Sequence, residues 1–205
     1  MNNNISLNED QEDCLQELVN IAYGSATAAI SNILDAFATL SIPQINIIDT
    51  KDLKSHLLEH TQVDDSHFVS TQIINGKISG ENLFIIGKSS AFNMAKEFGL
   101  EDEEINHNEL CDVVLEITNI LSSSTISKLA QEMNAIVSFS PPHVHILDSI
   151  SDFDNKYLEK YQKVIIISTQ LNFENQNING ELLILTTDDS IVYIKQMLNK
   201  ILEEF

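Results

Sequence analysis

The stretches DCLQELVN at residues 13–20 and DVVLEITN at residues 112–119 decide the fold of this chain, because they show one pattern used twice. Each carries Asp, Glu and Asn at the same spacing, and a proline follows each Asn after twenty-two intervening residues. Every one of these positions recurs 99 residues later. The first set is Asp13, Glu17, Asn20 and Pro43, and the second is Asp112, Glu116, Asn119 and Pro142.

The elements of the first half follow from hydrophobic periodicity. Apolar residues at helical spacing predict a long amphipathic helix over Glu9–Leu40. A short strand is predicted at 45–48 and further strands over Phe68–Ile86, where the pair Asn75-Gly76 favours a tight hairpin. A short helix over Ser89–Phe98 closes this half, and Gly99 suits its C-terminus.

The second half predicts the same order of elements. A helix is expected from about Asn106 to Glu132, followed by a break at Pro141-Pro142 and later by a closing helix over Ser190–Leu202. Between the break and the closing helix, strands are expected near residues 144–146, 164–171 and 181–185.

Further matches at a similar offset predict an internal duplication. Ser70-Thr71-Gln72 matches Ser168-Thr169-Gln170, and Gly80-Glu81 matches Gly180-Glu181. Only an acidic bridge at 101–104 separates the halves, with no linker rich in Pro, Gly or Ser. We therefore expect a single domain over 1–205 with pseudo-twofold symmetry, built from halves at about 9–99 and 106–203.

The charge excludes several classes of partner. The chain has 31 acidic and 11 basic residues, a formal net charge of −20, and no arginine. Such a surface disfavours nucleic acid and repels anionic lipid. The N-terminal stretch lacks a cationic start and an apolar core, and no segment approaches the length of a membrane span. We expect a cytoplasmic protein with no membrane insertion, in which Cys14 and Cys111 are reduced structural thiols.

The repeated trio predicts chemistry performed together with another molecule. On a helix, Asp13, Glu17 and Asn20 fall within about 60° of one another and form one polar stripe. A carboxylate can pair with a cation and a carboxamide can orient a water, but neither is a nucleophile. A single trio of this kind is usually an ordinary solvated helix face. Two trios with the same spacing favour a site that completes the active site of a partner.

The pattern of Asp or Ser, three residues, Glu, two residues, Asn, twenty-two residues and Pro resembles the signature of the CheC, CheX and FliY phosphatases of bacterial chemotaxis. Two sites and an end at Phe205 look like CheC. The resemblance implies an α+β fold with a continuous, mainly antiparallel sheet and the two motif helices side by side on one face. The second copy departs from the pattern at Ser122–Thr125, which replace a small, glycine-containing run, so the first site is the better match.

By this resemblance, Asn20 or Asn119 positions a water against the aspartyl phosphate of a phosphorylated CheY-like response regulator. Glu17 or Glu116 then pairs with the active-site Lys of the regulator, which also holds the Mg²⁺, so that this chain needs no cofactor or metal of its own. The supporting residues help to place the helices and dock the partner, with each proline ending its long helix. They are Asp13, Pro43, Asp112 and Pro142.

Two alternatives stay open on the sequence. One is a binding module that sequesters a phosphorylated regulator without hydrolysing it, and the other is an adaptor that regulates a CheD-like receptor deamidase. A metal site is disfavoured, because the pairs His56/His60 and His143/His145 have zinc-like spacing but no obvious third ligand.

Overall fold

The computed structural model describes residues 6–34, 39–41, 44–60, 66–149, 152, 163–173 and 177–204. Within these ranges the helices and strands alternate in two similar series. The elements are α1 (Glu9–Leu34), β1 (Thr39–Leu40), β2 (Gln44–Asp49), α2 (Leu53–His60), β3 (His67–Gly76), β4 (Gly80–Gly87), α3 (Lys88–Glu97), α4 (His107–Glu132), β5 (Val137–Phe139), β6 (His143–Leu147), β7 (Lys163–Phe173), β8 (Ile178–Thr186) and α5 (Asp188–Glu203).

The described strands form one antiparallel sheet in the order β1-β7-β8-β4-β3-β5. Strand β2 also pairs with β7, next to β1, and β6 also pairs with β3, next to β5. Each half therefore places its first two strands against the hairpin of the other half. The predicted α+β class with a continuous, mainly antiparallel sheet is confirmed.

The centre of the sheet has a symmetric register. Leu83 of β4 lies opposite Leu183 of β8. Glu81 pairs with Leu185, and Ile85 pairs with Glu181. At an offset of 100 positions Glu81 corresponds to Glu181 and Ile85 corresponds to Leu185, so the two pairs are equivalent. The two halves thus meet in the same way from both sides, as pseudo-twofold symmetry requires. The duplication as an event, and the domain limits at 1–205, stay predictions.

The register corrects one of the predicted repeat matches. In the first half, Gln72 pairs with Asn82. The residue 100 positions after Asn82 is Leu182, and its partner on β7 is Thr169. The counterpart of Gln72 is therefore Thr169, not Gln170, so that the predicted match of the Ser-Thr-Gln stretches is shifted by one residue. A match of only three residues cannot determine the register of a strand. The register matters because a shift of one residue moves every side chain to the other face of the sheet.

The sheet separates a large core from a small one. Residues at alternate positions, such as Phe68, Phe84 and Leu182, pack with α1 and α4, which lie along each other on one face of the sheet. Helices α3 and α5 contribute to the same core. The other face is covered around Leu53 of α2, which packs with Leu83 and Leu183. The predicted placement of the two long helices is thus confirmed.

Each helix of the motif begins with a cap. Asn8 and Gln11 exchange hydrogen bonds, since the Asn8 Oδ1 accepts from Gln11 N at 2.9 Å and the Gln11 Oε1 accepts from Asn8 N at 3.0 Å. This reciprocal pair satisfies donors that the first turn of α1 leaves free. At the start of α4, the side chain of Asn106 accepts from Asn108 N at 2.9 Å. Both helices are therefore held at the end that precedes the Asp of the motif.

The end of α1 differs from the prediction, whereas the predicted end of α4 at Glu132 is confirmed. The helix predicted over Glu9–Leu40 ends at Leu34, and Thr39–Leu40 forms a strand instead. Helix α4 ends at Glu132, because Asn134 adopts a positive φ of 50° and Ala135 N donates to Ala130 O at 2.8 Å. This is a Schellman arrangement with Asn in place of the usual Gly. Pro142 lies beyond this end and is not needed to form it.

The first hairpin is confirmed, but its turn is wider than the prediction. Ile74 lies opposite Gly80, so that five residues connect the paired positions. Gly76 instead lies opposite Val137 of β5 and has a φ of 127°. A Cβ atom at this position would lie 2.2 Å from the carbonyl oxygen of Ile136. The glycine is therefore required by the approach of β5 and not by a two-residue turn.

Candidate functional site

The two polar trios lie where the sequence places them, on the exposed faces of α1 and α4. Glu17, Asn20, Glu116 and Asn119 are all exposed, as are Asp13 and Asp112. Apolar neighbours such as Leu15 and Val114 are fully buried in the core. Because α1 and α4 pack along each other, the same surface of the molecule presents both sets.

The carboxamide of Asn119 is hydrogen-bonded to a side chain from the sheet. Gln72 of β3 is 1% exposed, and its Nε2 donates to Asn119 Oδ1 at 3.2 Å. The same nitrogen donates to the carbonyl oxygen of Ser140 at 2.8 Å. The α4 site therefore includes two residues, Gln72 and Ser140, that the sequence analysis did not identify as site residues.

A bulge beside β3 presents the Ser140 carbonyl. Ile74 pairs with Phe139 and Thr71 pairs with His143, so that Ser140, Pro141 and Pro142 face only two residues of β3. Such an extra residue interrupts the ladder locally, and the prolines have no N–H to donate to it. Ser140 fixes the bulge through Ser140 N to Ile73 O at 3.0 Å and Ile73 N to Ser140 Oγ at 3.1 Å.

This position of Pro142 corrects its predicted role. Pro142 lies between β5 and β6, beyond the Schellman end of α4, and thus does not end the helix. It belongs to the bulge that carries Ser140 toward Gln72. Pro43 lies outside the described residues. On either side of it, Leu40 pairs with Leu171 and Gln44 pairs with Ser168.

The residues one turn after each Asn differ between the copies. Tyr23 in α1 and Ser122 in α4 are equivalent by the motif spacing, and both are buried. Neither hydroxyl has a hydrogen-bond partner within the described part of the chain. Burial raises the pKa of the Tyr23 phenol, so that it stays protonated. The departure seen in the sequence at Ser122–Thr125 thus corresponds to different packing against the sheet.

The motif carboxylates are available to a partner. The three ion pairs among the described residues join Lys51 to Asp49, Lys96 to Asp102 and Lys128 to Glu132. None of them involves Glu17 or Glu116. A carboxylate that is exposed and has no cation from its own chain can pair with a Lys or Arg of another molecule.

The cysteines and histidines give no second site. Cys14 and Cys111 are free thiols. Burial raises the pKa of both thiols, and the Asp112 carboxylate raises that of Cys111 further. In the described ranges, no three His, Cys, Asp or Glu side chains are grouped so that they could hold a metal ion. Nor does any helix in those ranges have the length and apolar character needed to cross a membrane.

Comparison with known proteins agrees with the motif. Residues 68–161 match the family model described as "Chemotaxis phosphatase CheX". The flagellar motor switch phosphatase FliY of Bacillus subtilis is 23% identical over 146 residues, which cover 69% of this chain and 37% of that protein. This chain therefore spans little more than a third of the length of that relative.

Solved structures show the same fold. FliY of Thermotoga maritima superposes with a TM-score of 0.74 at 20% identity, covering 95% of this chain and 98% of that one. CheX from a CheX–CheY–BeF3–Mg complex of Borrelia burgdorferi gives a TM-score of 0.53 at 11% identity, covering 83% and 96%. The narrower expectation of a CheC-type member, which rested on copy number and length, stays a prediction. With its repeated motif, its match to the chemotaxis phosphatase CheX model over residues 68–161 and this fold, the chain is similar to the CheC, CheX and FliY family of chemotaxis phosphatase domains.

Proposed function

We propose that this chain is a phosphatase that hydrolyses the aspartyl phosphate of a CheY-like response regulator. The observation that carries the proposal is the exposure of a Glu and an Asn, one helical turn apart, on each of two adjacent helices. The match to a chemotaxis phosphatase family supports it, as does the likeness to a CheX found in complex with CheY.

In this proposal the carboxamide of Asn119 enters the active site of the regulator. An amide oxygen has two lone pairs, so that Oδ1 can keep the bond from Gln72 and still accept a hydrogen bond from a water. The Nδ2 group can donate to a phosphoryl oxygen. The water attacks phosphorus, the bond to the aspartyl oxygen breaks, and inorganic phosphate and a free carboxylate result. Asn20 would act in the same way at the α1 site.

Glu17 and Glu116 would hold the regulator in register through a charge-assisted hydrogen bond to its Lys. Positioning and electrostatics then account for the rate, since the chain offers no nucleophile beside the Asn. The Mg²⁺ that neutralises the phosphoryl charge would belong to the regulator. A role for Asp13 and Asp112 in docking, regulation of a CheD-like deamidase and a cytoplasmic location stay predictions.

The test measures phosphate loss from a panel of phosphorylated CheY-type regulators in the presence of Mg²⁺. The wild type is compared with Asn20→Ala, Asn119→Ala and the double variant. We expect the wild type to accelerate the decay and the double variant to lose about 100-fold or more in rate, because each Asn is a positioning group in the transition state.

Asn108→Ala is the matched control, because Asn108 is another exposed residue of α4, near its start. It is expected to leave the rate unchanged. If the wild type binds a phosphorylated regulator but accelerates no decay with any member of the panel, the chain is a sequestering module and not a phosphatase. A loss in the Asn108→Ala variant equal to that of Asn119→Ala would show that the effect is not specific to the motif.

A further inference from the structure

We infer that Gln72 is a positioning residue for Asn119. Gln72 fixes which end of the Asn119 carboxamide faces the regulator, and it makes the two sites unequal. The catalytic consequence rests on the proposed function. The placement of the Asn119 side chain does not, since it follows from the hydrogen bonds within this chain.

The orientation follows from the chemistry of one acceptor. The carbonyl oxygen of Ser140 can only accept, so that the atom of Gln72 at 2.8 Å from it must be the amide nitrogen. The same nitrogen lies 3.2 Å from Asn119, and its second hydrogen requires an acceptor there. The oxygen of Asn119 therefore faces the sheet, and its NH₂ group is left to face outward. The Ser140 carbonyl thus determines, through the buried Gln72 side chain, which end of the exposed Asn119 amide faces outward.

The environment of Gln72 strengthens this control. Gln72 is 1% exposed, so that water does not compete for its hydrogen bonds. Asn82 is directly opposite Gln72 on β4 and is 0% exposed. Neither amide atom of Asn82 has a partner in the described chain, and nor does Gln72 Oε1. Directly opposed side chains on a strand pair are neighbours, so Asn82 lies beside Gln72 in this buried surrounding.

The α1 site has a different residue at the equivalent position. The register makes Thr169 the counterpart of Gln72. A glutamine NH₂ carries two hydrogens and can bond two acceptors at once, whereas a threonine hydroxyl carries only one. A threonine at this position therefore cannot join a backbone carbonyl and the motif Asn with two donated hydrogens, as Gln72 does at the α4 site. We expect the α4 site to be the more strongly pre-organised of the two, although its sequence fits the family pattern less well.

The test places Gln72→Leu and Gln72→Glu in two single-site backgrounds. In the Asn20→Ala background only the α4 site remains, and we expect each Gln72 substitution to lower kcat about tenfold with KM changed less than about twofold. Leucine removes the donor, and a glutamate carboxylate accepts where the glutamine donates, which favours a reversed Asn119 amide. In the Asn119→Ala background the same substitutions are expected to cause no comparable further loss.

Three kinetic outcomes would overturn the inference. An equal loss in both backgrounds would mean that Gln72 acts on the stability of the whole sheet, and no loss in either would mean that it does not position Asn119. A rise in KM with kcat unchanged would also count against it, because positioning of the water affects the chemical step and not regulator binding.

A second readout does not depend on phosphatase activity. The side-chain NH₂ signals of Asn119 are identified in a ¹⁵N–¹H correlation spectrum by their loss in Asn119→Ala. They are expected to shift in Gln72→Leu and Gln72→Glu, while the NH₂ signals of Asn20 stay in place. If the wild type proves inactive but these shifts appear, the proposed function fails and the positioning stands. Unchanged Asn119 signals in both variants would refute the positioning whatever the activity.

Discussion

The role of the exposed motif carboxylates, Glu17 and Glu116, can be tested by removing only their charges. The double variant Glu17→Gln, Glu116→Gln keeps the size of both side chains but removes the charges proposed to pair with the Lys of the regulator. We expect kcat/KM to fall about tenfold at low ionic strength. The difference from wild type is expected to shrink as salt is added, because the interaction of exposed charges is screened. Regulator dephosphorylation at a series of salt concentrations measures both effects.

The control for this variant keeps the same net charge change. Glu12 and Glu103 are exposed and lie outside the motif, so that Glu12→Gln, Glu103→Gln also removes two charges. An equal loss of kcat/KM in this control would attribute the effect to the net charge of −20 and not to the motif.

At this scale, the sequence alone predicted which residues share one helix face but not the sheet residue that contacts Asn119. The spacing of Glu17 and Asn20 places them on one helix face, and the structure shows that face exposed. Helical periodicity is local, so that such a prediction needs no tertiary information. Gln72 contacts Asn119 from a strand 47 residues away, and no local pattern connects the two. A polar Gln within an apolar strand was the one available signal.

At the scale of elements, two glycines predict opposite results of the same substitution. Gly76 has a φ of 127° and leaves no room for a Cβ against Ile136 O, whereas Gly24 in α1 has nothing within 4 Å of such an atom. We expect Gly76→Ala to destabilise the protein by about 2–4 kcal/mol, because strain and a backbone clash add. We expect Gly24→Ala to stabilise it by about 0.5–1 kcal/mol, since alanine is the better helix former.

Urea unfolding of the two variants and the wild type measures these free energies. Each glycine serves as the control for the other, because the chemical change is identical. A Gly76→Ala variant as stable as the wild type would show that β5 need not approach β3 as closely as the structure places it.

The boundaries of the elements show where local signals were insufficient. The first turns of α1 and α4 were predicted within about a residue, because polar caps such as Asn106 mark a helix start directly. The last turn of α1 was misplaced, because the helix was predicted to continue to Leu40, whereas the end of α4 at Glu132 was predicted correctly. Helix α4 ends through a left-handed Asn134, and asparagine in that role is far less distinctive in a sequence than glycine.

At the scale of the whole molecule, the exchange of strands makes the halves depend on each other. Strand β2 pairs with β7 of the second half, and β6 pairs with β3 of the first. Hydrogen bonds to the helices that follow the hairpins also join the halves, since Ser79 N donates to Ser190 Oγ of α5 at 2.8 Å and Asn179 N to Ser90 Oγ of α3 at 3.1 Å. Repeat matching predicted two halves with one order of elements. It could not predict this exchange, because strand pairing is non-local.

A cut in the exposed acidic bridge at 101–104 tests this dependence. With a protease site inserted there, we expect the cut chain to co-elute as one species in size-exclusion chromatography and to unfold in a single transition. Each half expressed alone is expected to lack the native circular dichroism spectrum, because its hairpin loses the three strands of the other half that pair with it. Separation of the cut halves without denaturant would contradict the exchanged topology. The uncut chain with the same insertion is the control.

The register of β4 against β8 also limits when the chain can fold. The pair Leu83–Leu183 joins residues 100 positions apart, and Gln44–Ser168 joins residues that are separated still further. Chains dominated by contacts of such long sequence separation fold slowly, because the closure of large loops precedes the gain from pairing. During synthesis, the β3–β4 hairpin must wait with an open edge until β8 has left the ribosome. An open strand edge is prone to wrong pairing. The strand pairing that joins the two halves in the folded protein therefore leaves the nascent chain prone to aggregation.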